Sequence, residues 1–200
     1  MLRVYGMSGS GSCHKVRMVL ECLRRPYEWI EIDPRVGATK APEFLSRNAN
    51  GQVPVLELAD GDYLPESNAI MFYLADGTAL VPDDRLDRAR ALQWLFFEQY
   101  SHEPYIAVAR ALRMFHPDPP SQRALAESKM NGGYHALGVM EEHLAKRSWF
   151  AAERFTIADI GLYAYTHVAD QGGFDLSRFP AIERWLERVA QQPGHVSMRR

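Results

Sequence analysis

Residues 50–74 read NGQVPVLELADGDYLPESNAIMFYL, and the pattern in this stretch decides how the rest of the chain is organised. A short strand is predicted from Val53 to Leu58, a turn at Asp60-Gly61, a second strand around Tyr63-Leu64, and a helix opening at Glu66-Ser67. Val53-Pro54 sets a residue with no N–H at the entrance of a strand, where proline is tolerated only at an edge or a first position. Such a bond is open to the cis form, and the N–H and C=O of Val53 are left to pair with something other than a neighbouring strand. Ser67 falls near a helix N-terminus, where unpaired N–H groups and the positive end of the helix dipole suit a carboxylate. A backbone edge and an anion pocket at this separation suggest a small peptide as ligand.

The order Gln52-Val53-Pro54, then Glu66-Ser67-Asn68-Ala69-Ile70, resembles the glutathione site of the cytosolic glutathione transferases. The resemblance implies that the backbone of Val53, ahead of a cis Pro54, pairs with the cysteinyl part of glutathione. It implies that Glu66 and Ser67 hold the γ-glutamyl end, and that Lys40 and Gln52 meet the glycyl carboxylate. Taken alone, Glu66-Ser67 is equally a helix start with an acidic first turn, and Lys40 a solvated charge.

The chain has 200 residues, 46% hydrophobic and 24% charged, enough to bury one large core or two small ones. A formal charge of −2 and the lack of a long basic run argue against a nucleic-acid surface. The start, MLRVYG, runs straight into a strand pattern, and no apolar run approaches the roughly 18 residues of a membrane helix. No membrane partner is expected, and the location is expected to be cytoplasmic. Cys13 and Cys22 fall in one predicted helix, about 13 Å apart along its axis, too far to be bridged.

Before the quoted stretch, Leu2 to Tyr5 reads as a strand, Gly6 to Ser12 as a loop, and Val16, Val19, Leu20 and Leu23 as the apolar face of a helix ended by Arg24-Arg25-Pro26. A strand at Glu28 to Ile32 and a short helix at Lys40 to Ser46 follow, with Pro42 early in that helix. This order is that of a thioredoxin-like α/β domain, whose first strand–helix–strand unit is parallel. Ser10-Gly11-Ser12-Cys13 resembles a C-x-x-C motif whose first cysteine has become serine. A serine there cannot exchange disulfides, but its hydroxyl can hydrogen-bond a bound thiolate and so favour the ionised form. The resemblance to serine-type transferases puts the catalytic role on Ser10, with Ser8 and Ser12 as neighbours in the same loop and Cys13 and Tyr5 as further donors. A purely structural reading makes this loop a helix cap with Ser12 at the N-cap. A phosphate loop is disfavoured by the lack of G-x-x-x-x-G-K-[ST], and a hydrolase elbow more so by serines where its flanking glycines belong.

Ala75 to Pro82 breaks the pattern, giving a thioredoxin-like domain at 1–77, a linker at 78–86 and an all-α domain at 87–200. Helices are predicted at Asp84 to His116, kinked or split by Pro104, and at Ser121 to Leu144, Thr156 to Asp170 and Pro180 to Gln191. Leu86, Leu92, Leu95 and Phe96 are assigned to the core. Thr156-Ile157-Ala158-Asp159 is a capping box, flanked by Phe155 and Ile160 for a hydrophobic staple. The seven histidines show no metal-ligand spacing, and no metal is expected.

The resemblance implies an enzyme that binds glutathione as co-substrate, ionises its thiol and adds it to a hydrophobic electrophile. Tyr100, Tyr105 and Arg110 are the candidates for the electrophile site, facing the glutathione across the domain cleft. Alternatives are a glutathione-dependent isomerase, dehalogenase or peroxidase, a thiol-transferase using Cys13, and a non-enzymatic binding module. A role in detoxification and a homodimer, with the first domain of one subunit on the second domain of the other, are also implied.

Overall fold

The computed structural model describes residues 1–115 and 120–198. The chain forms two compact units: Met1–Asp76 together with Pro193–Met198, and Gly77–Gln192.

The first unit is built on a four-stranded sheet of order β2-β1-β3-β4, formed by β1 (Leu2–Gly6), β2 (Tyr27–Glu31), β3 (Val55–Glu57) and β4 (Tyr63–Pro65). β1 and β2 are parallel, pairing Tyr5 with Ile30, and joined by helix α1 (Gly11–Cys22). β3 runs antiparallel to both β1 and β4, pairing Val55 with Tyr5 and with Pro65. Helix α2 (Pro42–Arg47) precedes β3 and α3 (Ser67–Ala75) follows β4. The core takes Val4, Val16, Met18, Val19, Leu20, Leu56, Ile70, Met71 and Leu74, all fully buried. Each such aliphatic side chain stabilises the fold by roughly 1.5–3 kcal/mol.

Local chemistry shifts several predicted boundaries. The ladder of β3 starts at Val55, because Pro54 has no N–H to offer; the Val53–Pro54 bond is cis, as expected. The N-cap of α1 is Ser10 rather than Ser12. Ser10 is extended at φ −88° and ψ 129° and accepts from the Cys13 N–H, while Ser12 lies inside the helix. Lys40 lies in a 3₁₀ turn (Ala38–Lys40), and α2 starts at Pro42, whose fixed φ suits a first helical position. Residues 193–198 pack with this unit: the Nε2–H of His14 donates to the carbonyl of Val196 at 2.7 Å.

The second unit is helical in its described residues: α4 (Arg85–Phe97), α5 (Glu103–Phe115), α6 (Pro120–Ser128), α7 (Met130–Leu144), α8 (Ile157–Thr166) and α9 (Pro180–Ala190). The long helix predicted for 84–116 is interrupted before Pro104, by a π turn over Glu98–His102 whose wide ring is closed by the Glu103 N–H on the Glu98 carbonyl. Pro104 then falls in the first turn of α5, where an absent N–H costs little; His116 lies outside the described residues. Leu95 is buried with Ala91 and Trp94, but Leu86 and Phe96 point out, at 57% and 72% exposure. The helix predicted from 121 to 144 is two, divided at Lys129, where the Ser128 hydroxyl bonds back to the Leu125 carbonyl at 2.7 Å. The glycine opening of α7 lets rings approach its backbone: a Cβ on Gly132 would overlap the Tyr105 ring, and one on Gly133 the ring of Phe174. The segment predicted as helix to Asp170 leaves α geometry after Thr166 and continues as a 3₁₀ turn, Ala169–Gly172.

Two carboxylates fasten this unit. Glu141 of α7 accepts from the Ala181 and Ile182 N–H groups, both at 2.9 Å, and so satisfies the open end of α9. The capping box forms as expected: the Thr156 hydroxyl accepts from the Ala158 N–H, and the Asp159 carboxylate from the Thr156 N–H. Asp159, fully buried, also accepts from the Phe150 N–H at 3.3 Å and the Trp185 indole at 3.0 Å. Burial pushes its carboxyl up to about 6, against the pull of these donors toward the ionised form.

Thr156→Ala is expected to lower the unfolding free energy by about 1–2 kcal/mol. Asp159→Ala removes the acceptor of two further buried donors and is expected to cost about 3 kcal/mol or more. The folded carboxyl titrates near about 6 and the free one near 3.8. The folded state therefore holds the extra proton between those values, and this residue's stabilisation is lost as pH rises through them. Urea unfolding across that window is expected to show the slope in the parent and its loss in Asp159→Asn.

Candidate functional site

The strand registers gather the first unit's candidate residues. β1 pairs Tyr5 with Val55 in antiparallel fashion, so the loop leaving β1 and the loop entering β3 lie at one end of the sheet. β3 pairs Val55 with Pro65, so Val53-Pro54 and Glu66-Ser67 leave the sheet at that same end. β2, parallel to β1, delivers Glu31 and the segment toward Lys40 there as well. Ser10, Lys40, Gln52, Val53, Pro54, Glu66 and Ser67 are thus brought to one end by topology.

The loop before α1 is held from β2. The Glu31 carboxylate accepts from the Ser8 N–H (2.9 Å), the Ser8 hydroxyl (2.8 Å) and the Trp29 indole (2.7 Å). Burial opposes its ionisation, but these three donors outweigh that and hold its pKa below the usual carboxylate value. The hydroxyl hydrogen of Ser8 is thereby committed. Tyr5 is committed too, donating to Glu57 at 2.6 Å, and burial pushes its phenol up to about 12. Cys13 is fully buried, its sulfur accepts from the Met7 N–H at 3.3 Å, and burial pushes its thiol up to about 11. Ser10 has a different setting. Its oxygen accepts from the Cys13 N–H at 3.4 Å, its hydroxyl also bonds the Cys13 sulfur in a way that favours the thiolate, and it stays partly exposed.

The approach to β3 is built by Asn48, a buried side chain that sequence reasoning passed over. Its amide nitrogen donates to the Gln52 carbonyl at 2.8 Å and its oxygen accepts from the Asn50 N–H at 3.0 Å. The second bond is an Asx turn, a pattern that Asn48-Ala49-Asn50-Gly51 could have signalled. Gly51 is required here: it sits at φ +63°, and a Cβ would come within 2.9 Å of the Thr39 carbonyl and 2.8 Å of the Lys40 Nζ. Lys40 Nζ is 3.5 Å from the Gly51 carbonyl, which ties it to this loop. Gln52 is exposed, and among the described residues neither the N–H nor the C=O of Val53 enters a hydrogen bond.

At α3, Glu66 is the N-cap residue with φ 71° and ψ 112°, a conformation that side chains rarely adopt. It makes no side-chain cap. Such a strained residue persists where its surroundings dictate it, and these places cluster at ligand sites. Ser67 is buried, and its hydroxyl lies 3.4 Å from the Nζ of Lys15 in α1.

The three candidates in the second unit have different settings. Tyr100, in the π turn, is 86% exposed. Tyr105 lies against the start of α7, with Lys129 Nζ 5.9 Å from its ring centre. Arg110 is buried, its Nε donating to Gln171 at 2.7 Å, and burial lowers its pKa.

Residues 9–76 match the glutathione S-transferase N-terminal domain family and residues 97–193 the glutathione S-transferase C-terminal domain family. The chain belongs to the glutathione S-transferase family. A glutathione S-transferase structure from Pseudomonas fluorescens is similar over 100% of this chain and 99% of its own, at 49% identity and a TM-score of 0.97. The glutathione transferase URE2P6 of Phanerochaete chrysosporium, solved with oxidized glutathione, is 30% identical over 96% of this chain and 92% of its own, with a TM-score of 0.85. Disulfide-bond oxidoreductase YfcG of Escherichia coli is 29% identical, covering 90% of this chain and 86% of that protein. Among the described residues no helix is long and apolar enough to cross a membrane.

The setting of the two cysteines has a direct chemical consequence. Cys13 is fully buried, Cys22 is partly buried, and burial pushes both thiols up to about 11. A chromogenic disulfide reagent at pH 7 is expected to leave both largely unmodified in the folded protein, and to titrate two thiols after denaturation. Rapid stoichiometric labelling of Cys13 in the folded state would make it a usable nucleophile.

Proposed function

We propose that the first unit binds glutathione at the gathered end of its sheet and that Ser10 keeps the bound sulfur ionised for attack on an electrophilic carbon. The observation that carries this reading is the place of the Ser10 hydroxyl, partly exposed at the N-terminus of α1 and at the gathered sheet end, while Ser8 and Tyr5 give their hydrogens to carboxylates and Cys13 is fully buried. Family membership and the URE2P6 complex support glutathione as the ligand. In this reading the Val53 backbone pairs with the cysteinyl part, Glu66 and Ser67 take the γ-glutamyl end, and Lys40 and Gln52 take the glycyl carboxylate.

The thiol proton goes to solvent, a carbon–sulfur bond forms, and the leaving group departs with its electron pair. Ser10 lowers the barrier by favouring the thiolate, and the binding contacts by fixing its position. For the electrophile we keep the region of Tyr100 and Tyr105; the bond from Arg110 to Gln171 weighs against a direct role for that guanidinium. No metal enters the proposed chemistry. The similarity to YfcG favours a second reading, in which the same thiolate attacks a disulfide sulfur and displaces the other half as a thiolate. Parallel assays with a halo-arene and a small disulfide separate the two.

Thermal-shift titration is expected to show saturable stabilisation by glutathione and by an S-alkyl conjugate; no shift at millimolar ligand would remove the proposal. Ser10→Ala is expected to leave conjugate binding within about twofold while raising the pKa of the bound thiol. Turnover should fall by about one to two orders of magnitude, as befits a lost charge-assisted bond. Ultraviolet titration of the bound thiolate reads this directly, and a variant that titrates like the parent would move the role to another group.

The same reading carries a cytoplasmic, detoxifying homodimer. Sedimentation velocity at micromolar concentration is expected to give a dimer; a monomer there would count against this assembly.

A further inference from the structure

Helix α1 buries Cys13, Val16, Met18, Val19 and Leu20, and among them Lys15, whose exposure is 0%. Lysine is almost never fully buried unless its amine is held. One contact of that amine reaches across to another helix: Nζ lies 3.4 Å from the hydroxyl oxygen of Ser67. An ammonium has hydrogens and no lone pair, so in this contact Lys15 donates and Ser67 accepts. The hydrogen of the Ser67 hydroxyl is then available for a further acceptor, and an O–H that itself accepts from a cation is the stronger donor.

Ser67 is also the first residue of α3, where intrahelical partners for N–H groups are lacking. Among the described residues its N–H enters no hydrogen bond, and Glu66, strained at φ 71°, places no side chain across this helix end. One residue thus offers an amide hydrogen and a polarised hydroxyl hydrogen at the positive end of a helix, backed by a buried amine.

We infer that Lys15 is a positioning residue of the γ-glutamyl subsite: it fixes the Ser67 hydroxyl as a donor and supplies buried positive charge to the α-carboxylate of that group. The inference rests on the glutathione reading above and deepens it. Lys15 does not touch the ligand in this arrangement. It acts through Ser67 and through its field, and the carboxylate in turn supplies countercharge to the buried amine.

The test compares glutathione with its analogue lacking that carboxylate, 4-aminobutyryl-cysteinyl-glycine, in the parent and in Lys15→Met. Calorimetric titration is expected to show that Lys15→Met cuts the preference for glutathione over the analogue by about tenfold, while affinity for the analogue stays within about twofold. An unchanged preference, or equal loss of both ligands, would overturn the inference by making Lys15 purely structural. If Lys15→Met does not fold, the unaltered protein decides by lysine side-chain NMR. The Lys15 Nζ signal is expected to move on saturation with glutathione and to stay in place with the analogue; equal movement, or none, would overturn the inference. A parent that binds no glutathione defeats the functional reading itself, a result distinct from a parent that binds it and a variant that keeps its preference.

Discussion

The antiparallel pairing of β3 with β1 is the constraint on which the rest of the first unit depends. With Tyr5 opposite Val55, the chain must turn from β1 into the Ser8–Ser10 loop at the place where Val53-Pro54 comes in. The pairing of Val55 with Pro65 then forces Glu66-Ser67 to the same end. A slip by one residue would exchange the two faces of β3 and take Val55 and Leu56 out of their present packing, so burial of these side chains holds the register. The gathering of the candidate residues is therefore a product of core packing, even though they are mostly loop residues.

Chemical selection within the loop is made by neighbours from elsewhere in the chain. Glu31, on β2, occupies Ser8, and Glu57, on β3, occupies Tyr5. The sulfur of Cys13 is withdrawn into the core, where desolvation favours the neutral thiol. Burial so disfavours Cys13 as a nucleophile, and the residue at the helix end is a serine.

Signals with short range were legible in the sequence. The capping box at Thr156-Asp159, the strand of Leu2 to Tyr5 and the helix from Ser67 are each set within a few residues, and all stand in the structure. The cis bond was readable through the resemblance, which implies a cis proline after Val53. Boundaries that depend on tertiary contact were not. Pro104 signalled a break but not its π geometry, the division at Lys129 was passed over, and the outward faces of Leu86 and Phe96 cannot be told from hydrophobicity alone. At the candidate site, residue types and spacing were visible, but their gathering at one sheet end follows from register. Glu31 and Lys15 escaped for the same reason, since their partners are distant in sequence; Lys15 left only the trace of a lysine set among the apolar positions of α1.

The return of residues 193–198 to the first unit has a consequence for how that unit becomes complete. The backbone at Gly194 lies so close to Cys22 that a Cβ there would come within 2.6 Å of it, and His14 is joined to Val196. This face of α1 is therefore sealed only after the intervening helices have been made. Closing so long a loop adds little entropic cost beyond that of a shorter one, because the cost grows only with the logarithm of length. During synthesis, however, the early sheet must wait with part of α1 uncovered, so this half of the molecule is completed only after the helices of the second unit have been made.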